Sequence, residues 1–98
     1  MIRHLVAFRF RDDVTDADRQ ALLDELASFP GQFPAMQRWA LGVNISRRDH
    51  TYTHAFTVEF AREEDLVAYL DSERHENFVR QRFRPLIEDR AIVSFEAP

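Results

Sequence analysis

Two stretches of this chain alternate between inward and outward side chains, and this two-residue period constrains the fold more than any other feature. Residues 2–10 place one set on a shared face, namely Ile2, His4, Val6, Phe8 and Phe10. Residues 51–60 do the same with Tyr52, His54, Phe56, Val58 and Phe60. Because successive side chains of a strand point to opposite sides, each stretch predicts a strand with one face in the core.

Helical patterns follow each of these strands. The first helix is predicted to begin after Thr15, which has a side chain typical of an N-cap, and to end at residues 30–31, a Pro-Gly pair. Leu26 belongs to its apolar face. The second helical region begins near Arg62 and is predicted to break at Ser72, which would cap a further helix.

Two further strands are predicted at residues 35–45 and 91–96, and Pro85 should kink or shorten the helix that precedes the last strand. The resulting order is β-α-β-β-α-β. This order is typical of an α+β, ferredoxin-like fold with a four-stranded antiparallel sheet. A chain of 98 residues, 1–98, is expected to form a single domain.

Helices would cover one face of this sheet and leave the other face bare. The bare face is predicted to carry small or semi-apolar side chains, which are Leu5, Ala7, Thr53, Ala55 and Thr57. A core of this size is also marginal on its own. We therefore predict a homodimer that packs through the open sheet faces and encloses a barrel-like core, which makes a dimeric α+β barrel.

Charge and composition exclude several classes of function. A net charge of −4 with interleaved signs argues against nucleic-acid binding, which needs a basic face. The chain has neither Cys nor Lys, so thiolate chemistry and Schiff-base catalysis on a lysine are excluded. No apolar run approaches the roughly 20 residues of a membrane helix. The first strand is predicted to begin at the amino terminus, so we expect no signal peptide. We expect a cytoplasmic protein with no membrane contact and no cofactor.

Three of the four histidines fall on core-facing positions, and they predict a pocket with polar groups. His4 and His54 lie in the two alternating strands, and His75 follows Tyr69 by six residues. The pocket is predicted to lie between helices and sheet and to be lined by His4, Val6, Phe8, Leu22, Leu26, His54, Phe56, Tyr69, His75 and Phe78. We expect its ligand to be a small hydrophobic or aromatic molecule.

Tyr69 and His75 are the only pair whose spacing is specific for catalysis. On an unbroken helix six residues turn through about 600°, which would separate the two side chains. The predicted break at Ser72 would bring them together and place His75 in the first turn of a new helix, whose positive end disfavours an imidazolium. His75 could then act as a general base, and the Tyr69 hydroxyl could stabilise a developing oxyanion.

Structural roles compete with these assignments. A tyrosine before a helix break is a common structural element, and a strand histidine such as His4 or His54 is usually a satisfied core residue. Three imidazoles can bind zinc, but no acidic partner or ligand spacing supports a metal site here, and we predict none. Arg82 and Arg84 are suited to contact an anionic ligand or to form a solvated helix face.

Five segments of the chain, residues 2–12, 29–34, 52–54, 69–75 and 84–86, resemble the stress-responsive α/β-barrel (Dabb) family. The resemblance covers essentially the whole chain. It implies a dimeric α+β barrel with a pocket between sheet and helices in each subunit, as in a plant polyketide cyclase of the family.

The resemblance also implies cofactor-free proton chemistry next to a carbonyl group, such as an aldol cyclisation or a lyase step. The catalytic histidine and tyrosine of the cyclase match His75 and Tyr69, and two further pocket histidines match His4 and His54. Leu26 stands where the cyclase has a pocket tyrosine. Two alternatives stay open: a non-catalytic stress-responsive or ligand-binding dimer, and a cofactor-independent monooxygenase like those among related dimeric α+β barrels.

Overall fold

Four antiparallel strands form one sheet in the order β2-β3-β1-β4 in this computed structural model, which describes residues 1–98. The strands are β1 (Ile2–Phe10), β2 (Gln37–Val43), β3 (His54–Phe60) and β4 (Ile87–Glu96). Strand β1 lies in the centre and pairs with β3 on one side and with β4 on the other. The strand order and the succession of elements confirm the predicted α+β, ferredoxin-like fold.

The helices pack against one face of this sheet. They are α1 (Asp16–Ala27), α2 (Phe29–Gln32), α3 (Glu63–Asp71) and α4 (Glu73–Phe78), and α4 continues into a π-helical turn (Val79–Phe83) and a 3₁₀ turn (Arg84–Leu86). The face of β1 beneath them is buried, as its alternation predicts, and carries His4, Val6, Phe8 and Phe10. The apolar core therefore lies between the helices and this face.

The first helix starts where predicted but ends earlier. Helix α1 begins after Thr15, whose hydroxyl caps it, and ends at Ala27 rather than at residues 30–31. Ser28 ends the helix because its hydroxyl donates to a carbonyl of the last turn at 2.6 Å. Pro30 then lies in the first turn of α2, where its missing N–H group costs nothing.

Strand β2 ends at Val43, before its predicted end at Ile45, and strand β3 begins at His54, after its predicted start at Thr51. The loop between them is held by the side chain of Asn44, which donates to the carbonyls of Asp49 at 3.0 Å and Tyr52 at 2.7 Å. These carbonyls bond to a side chain instead of to a neighbouring strand. Side-chain competition for the backbone therefore shortens the hairpin.

The last strand is longer than predicted and begins at Ile87 instead of residue 91. Residues 88–90 are charged, so the hydrophobic pattern does not indicate that the strand has already begun there. An edge strand tolerates charges because one side faces water. Pro85 shortens the preceding helix as predicted, since it lies in the 3₁₀ turn.

The second face of the sheet is not covered by any helix. The strand register places the ion pairs of Arg3 with Glu59 and of Arg9 with Asp89 there, together with the following small or apolar residues: Leu5, Ala7, Ala40, Gly42, Ala55, Thr57, Ala91, Val93 and Phe95. We call this set the open face. Val93 and Phe95 are 52% and 47% exposed, which is unusual for large apolar side chains. Thr53, which was predicted to belong to this face, lies just outside β3.

None of the helices combines the length and the apolar character that crossing a bilayer would take.

Candidate active site

A cavity of about 170 Å³ lies between the sheet and the helices. Ten of its thirteen lining residues are hydrophobic, and the full set is His4, Val6, Leu26, Phe29, Phe56, Tyr69, Leu70, His75, Phe78, Val79, Phe83, Arg90 and Ile92. Its volume is close to that of an engineered apolar cavity of roughly 150 Å³ that admits benzene. The cavity can therefore hold a six-membered ring or a short alkyl chain.

Most of the predicted pocket residues do meet at this cavity. Those that line it are His4, Val6, Leu26, Phe56, Tyr69, His75 and Phe78. Phe8 and Leu22 do not line it, and both lie fully buried in the adjacent core. His54 does not line it either.

His54 shares a face with His4 but lies at the other end of the sheet. It pairs across the ladder with Phe8, four residues along β1 from His4, which corresponds to roughly 13 Å of strand. Its ring stacks on Phe8 and meets Phe10 edge-on, with both centroid distances at 5.5 Å. Burial lowers its pKa, and nearby Arg19 lowers it further. A shared face therefore does not bring the two histidines together.

Six lining residues were not predicted. They are Phe29, Leu70, Val79, Phe83, Arg90 and Ile92. Strand register could have indicated two of them, because Phe8 pairs with Arg90 and Val6 with Ile92 on the side of β4 that faces the helices. The predicted β4 began one residue after Arg90. The others lie on helical segments whose direction over the cavity depends on tertiary packing.

Ser72 brings Tyr69 and His75 together by ending one helix and starting the next. Its hydroxyl donates to the Tyr69 carbonyl at 2.8 Å and accepts the His75 N–H at 3.1 Å. The centroids of the Tyr69 and His75 rings consequently lie 4.5 Å apart. The predicted break and N-cap at Ser72 are confirmed.

A single hydrogen bond selects the tautomer of His75. Its Nδ1 lies 3.0 Å from the carbonyl oxygen of Leu70. A carbonyl only accepts, so Nδ1 must carry the hydrogen and Nε2 must carry the lone pair. Burial lowers the pKa of His75, and this effect exceeds the opposing ones of the Leu70 carbonyl and Glu76. The ring is therefore neutral at neutral pH and has a basic nitrogen available.

Tyr69 keeps its proton and has a free hydroxyl. Burial raises the pKa of this phenol well above its ordinary value, so the side chain is a hydrogen-bond donor rather than a phenolate. Tyr69 is 4% exposed, and its hydrogen bonds within the chain use the backbone carbonyl, not the phenol oxygen. Every fully enclosed side-chain N or O atom does have a partner, so this hydroxyl is not fully enclosed, and Tyr69 lines the cavity.

His4 forms the polar floor of the cavity on β1. Its ring centroid is 6.2 Å from that of Tyr69, and its Nδ1 lies 2.7 Å from the Ser94 hydroxyl of β4. Burial lowers the pKa of His4 to about 4, with a smaller contribution from nearby His75. The cavity thus presents two neutral imidazoles, one phenol and the side chain of Arg90 on an otherwise apolar wall.

Acidification should destabilise the fold through His4. The unfolded side chain takes up a proton at its ordinary pKa of 6.5, whereas the folded one does so only near 4. The stabilisation is therefore fully present above pH 6.5 and is lost as the pH falls towards 4, by up to about 3 kcal/mol in the free energy of unfolding. His54 and His75 add in the same direction, because burial lowers their pKa values too. Urea unfolding at pH 7 and pH 4.5 measures the loss.

His4→Gln should make this loss smaller, because Gln does not titrate while its amide still reaches Ser94. His50→Gln is the matched control, since His50 lies exposed in the 44–53 loop, and it should keep the wild-type pH dependence. An unchanged profile in His4→Gln would show that His4 is not the group responsible.

Comparison with known proteins places the chain among a defined set of relatives. A family model described as the stress-responsive A/B barrel domain, Dabb, matches residues 2–97. The chain is 25% identical over 79 residues to olivetolic acid cyclase from Cannabis sativa, and the match covers 79% of this chain and 78% of that protein.

Solved structures show the same fold. Hydroxynitrile lyase from Passiflora edulis superposes with a TM-score of 0.90 at 19% identity over 99% of this chain and 93% of that one. A protein of unknown function from Thermobifida fusca, described as dimeric and ferredoxin-like, superposes with a TM-score of 0.81 at 26% identity over 98% and 90% of the two chains.

Proposed function

Because the chain belongs to the stress-responsive α/β-barrel (Dabb) family, we propose that its cavity binds a small carbonyl compound and that His75 and Tyr69 catalyse cofactor-free proton transfer next to the carbonyl group. One observation carries this proposal. His75 Nε2 and the Tyr69 hydroxyl form no hydrogen bond with the chain, and the two rings lie 4.5 Å apart at one mostly apolar cavity. A cyclase and a lyase among the relatives support a reaction of this class.

The proposed mechanism uses each group in one protonation state. Nε2 of neutral His75 takes a proton from the carbon next to the carbonyl, the electron pair of that C–H bond forms the C=C bond of the enolate, and the π pair of the C=O bond moves to the oxygen. The Tyr69 hydroxyl donates a hydrogen bond to this enolate oxygen. The enolate carbon then attacks a second carbonyl group of the ligand, and the His75 imidazolium returns its proton to the new alkoxide, which completes an aldol addition.

The apolar wall of the cavity strengthens the interaction of the Tyr69 hydroxyl with the enolate oxygen. A charge that develops in a water-excluded site interacts more strongly with a fixed donor than it does in water. Removing one such donor typically costs about 10²–10³-fold in rate. The wall also limits the ligand, because a cavity of about 170 Å³ admits one ring or a short chain.

Exchange of the α-protons of octan-2-one in D₂O tests the chemical step without knowledge of the natural substrate. We expect NMR to show deuterium entering C1 and C3 faster with the protein than in buffer at the same pH. Octan-1-ol, which has the same chain but no carbonyl, should slow the exchange by competing for the cavity. An exchange rate equal to that of buffer, with octan-2-one bound, would contradict the catalytic proposal.

A non-catalytic binding module is the second candidate. The predominance of hydrophobic lining residues favours it, since only His4, His75 and Arg90 add charged or titratable nitrogen atoms to the wall. This function requires binding of octan-2-one and octan-1-ol with similar affinity and no exchange. The predicted monooxygenase would instead consume oxygen with an aromatic substrate.

We also propose that the protein is a cytoplasmic homodimer in which each copy of the domain, residues 1–98, carries one such pocket. The small side chains at the centre of the open face allow a second sheet to approach closely, and the exposed Val93 and Phe95 would be buried by it. The Thermobifida fusca relative is described as dimeric, which supports this assembly.

Val93→Asp should convert the dimer to a monomer, because it would place an unpaired carboxylate in an apolar interface. Light scattering coupled to size exclusion should give twice the chain mass for the wild type and the chain mass for the variant. Val67→Asp is the matched control, because Val67 is 48% exposed on α3, away from the open face, and should leave the dimer intact. A wild-type mass equal to that of one chain would contradict the dimer.

A further inference from the structure

A second, more polar depression lies beside the cavity. The depression has a volume of about 310 Å³ and shares Val79, Phe83 and Arg90 with the lining of the cavity. Its other lining residues include Arg11 and Arg84. An apolar compartment therefore adjoins one that is lined by three arginines, and Arg90 belongs to both.

The carboxylates of this depression do not neutralise it. Glu88 faces Arg11 at 3.9 Å, and Asp89 faces Arg9 at 3.8 Å while also accepting the backbone N–H of Arg90. The guanidinium groups of Arg84 and Arg90 form no ion pair and no hydrogen bond with the chain. Both are exposed, so they are free to contact a ligand.

This freedom sets the two residues apart from most other arginines of the chain. Six arginines elsewhere donate to side chains of the chain, namely Arg3 and Arg38 to Glu59, Arg62 to Asp65, Arg74 to Gln32, Arg80 to Asn77 and Arg82 to Glu25. In a chain whose net charge is −4, two unpaired cations at the mouth of an apolar cavity form a local positive site.

We infer that Arg90 and Arg84 bind an anionic group on the ligand while its carbonyl-bearing part lies in the cavity. Guanidinium groups suit this task because their planar N–H pairs match the oxygens of carboxylate and phosphate. The ligand would then be a carbonyl compound with an apolar body and a carboxylate or phosphate at its outer end. This inference rests on the proposed function, and it adds a means of orientation, since anchoring the outer end directs the inner end towards His75 and Tyr69.

Binding of three probes that share an eight-carbon chain tests the inference: octanoate, octyl phosphate and neutral octan-1-ol. Trp39 offers a signal, because its ring stacks on Phe56 of the cavity wall with centroids 4.7 Å apart. Titration calorimetry gives an independent measure. We expect both anions to bind about five- to tenfold more tightly than octan-1-ol at low salt, and this preference should shrink as ionic strength rises.

The double variant Arg84→Gln/Arg90→Gln should remove most of this preference and leave octan-1-ol affinity within about twofold of the wild type. Arg80→Gln is the matched control, because Arg80 is an exposed arginine of the π-helical turn just before Arg84 and lines neither compartment. It should bind all three probes like the wild type. The affinities of octanoate and octyl phosphate are then compared with each other. Tighter binding of octanoate indicates a free acid as the natural source of the charge, and tighter binding of octyl phosphate indicates a phosphate-bearing carrier.

The possible results separate this inference from the proposed function. If octan-1-ol and both anions bind equally well, or if the double variant keeps the preference, the anion site is refuted while the cavity remains a binding site. If the double variant loses octan-1-ol binding as well, the arginines support the cavity structurally and the inference is again refuted. If no probe binds to the wild type, the cavity and the anion site both fail.

Discussion

Replacing His75 with Ala should reduce the protein-catalysed exchange of octan-2-one by about 10²–10⁴-fold, the usual contribution of a general base. No other group at the cavity can take over. His4 is held by Ser94, and its pKa of about 4 makes it a weak base. The substitution deletes the Nε2 lone pair, whereas the N-cap bond between His75 and Ser72 uses only the backbone N–H and survives.

The same variant should lose little stability. The only hydrogen bond of the His75 side chain in the wild type is the one to the Leu70 carbonyl, and such a bond contributes about 1 kcal/mol to the free energy of unfolding. Urea unfolding should therefore show a loss in the free energy of unfolding of about 1–2 kcal/mol, including the buried ring surface. Added imidazole should restore part of the exchange rate, because it fits the space that the deleted ring leaves.

His50→Ala is the control for this experiment, because it removes an exposed histidine from the 44–53 loop and should change neither rate nor stability. If His75→Ala retained the exchange rate and lost more than about 3 kcal/mol of stability, the histidine would be a structural residue. In that case the binding-module function would be favoured.

Replacing Phe8 with Ala should have the largest effect on folding. Phe8 has no exposed surface and packs against the rings of Phe10, His54 and Phe83 at centroid distances of 5.5–5.8 Å. Truncating such a side chain costs about 3–5 kcal/mol, because the apolar transfer energy is lost and a void is left. The free energy of unfolding of a domain of this size is about 5–15 kcal/mol in total, so the loss is a large part of the stability.

Chemical unfolding and the melting temperature measure this loss, and a fall of at least about 12 °C is expected. The folded fraction of the variant should bind octan-1-ol with nearly wild-type affinity, because Phe8 does not line the cavity. Phe8→Leu is the control, since it retains most of the volume and should cost less than about 1.5 kcal/mol. A stable Phe8→Ala protein that no longer binds octan-1-ol would show that Phe8 contributes to the pocket, as its sequence pattern predicts.

Much of the fold can be predicted from the sequence because its signals are local. Alternation in β1 requires only that successive side chains of a strand point to opposite sides. The break at Ser72 follows from the competition of a serine hydroxyl for nearby backbone groups. That break is also the reason why the Tyr69–His75 pair could be singled out before its geometry was known.

Boundaries and the cavity lining were predicted less well, because they depend on distant parts of the chain. The hairpin between β2 and β3 is shortened by bonds of the Asn44 side chain to two backbone carbonyls. His54 carries the same pattern as His4, yet the ladder register separates the two along the strands. Arg90 was missed because its charged surroundings concealed the start of β4.

By itself, the sequence determined the succession of strands and helices, the buried face of β1 and the residue types available for proton chemistry. These properties follow from the periodicity and capping of short segments. Only the tertiary structure decided that His4, Tyr69 and His75 meet at one cavity, that His54 and Phe8 do not, and that Arg90 lies at its mouth. The physical reason is that a period assigns a side chain to a face, whereas its position along that face depends on strand register and on the helices packed above it.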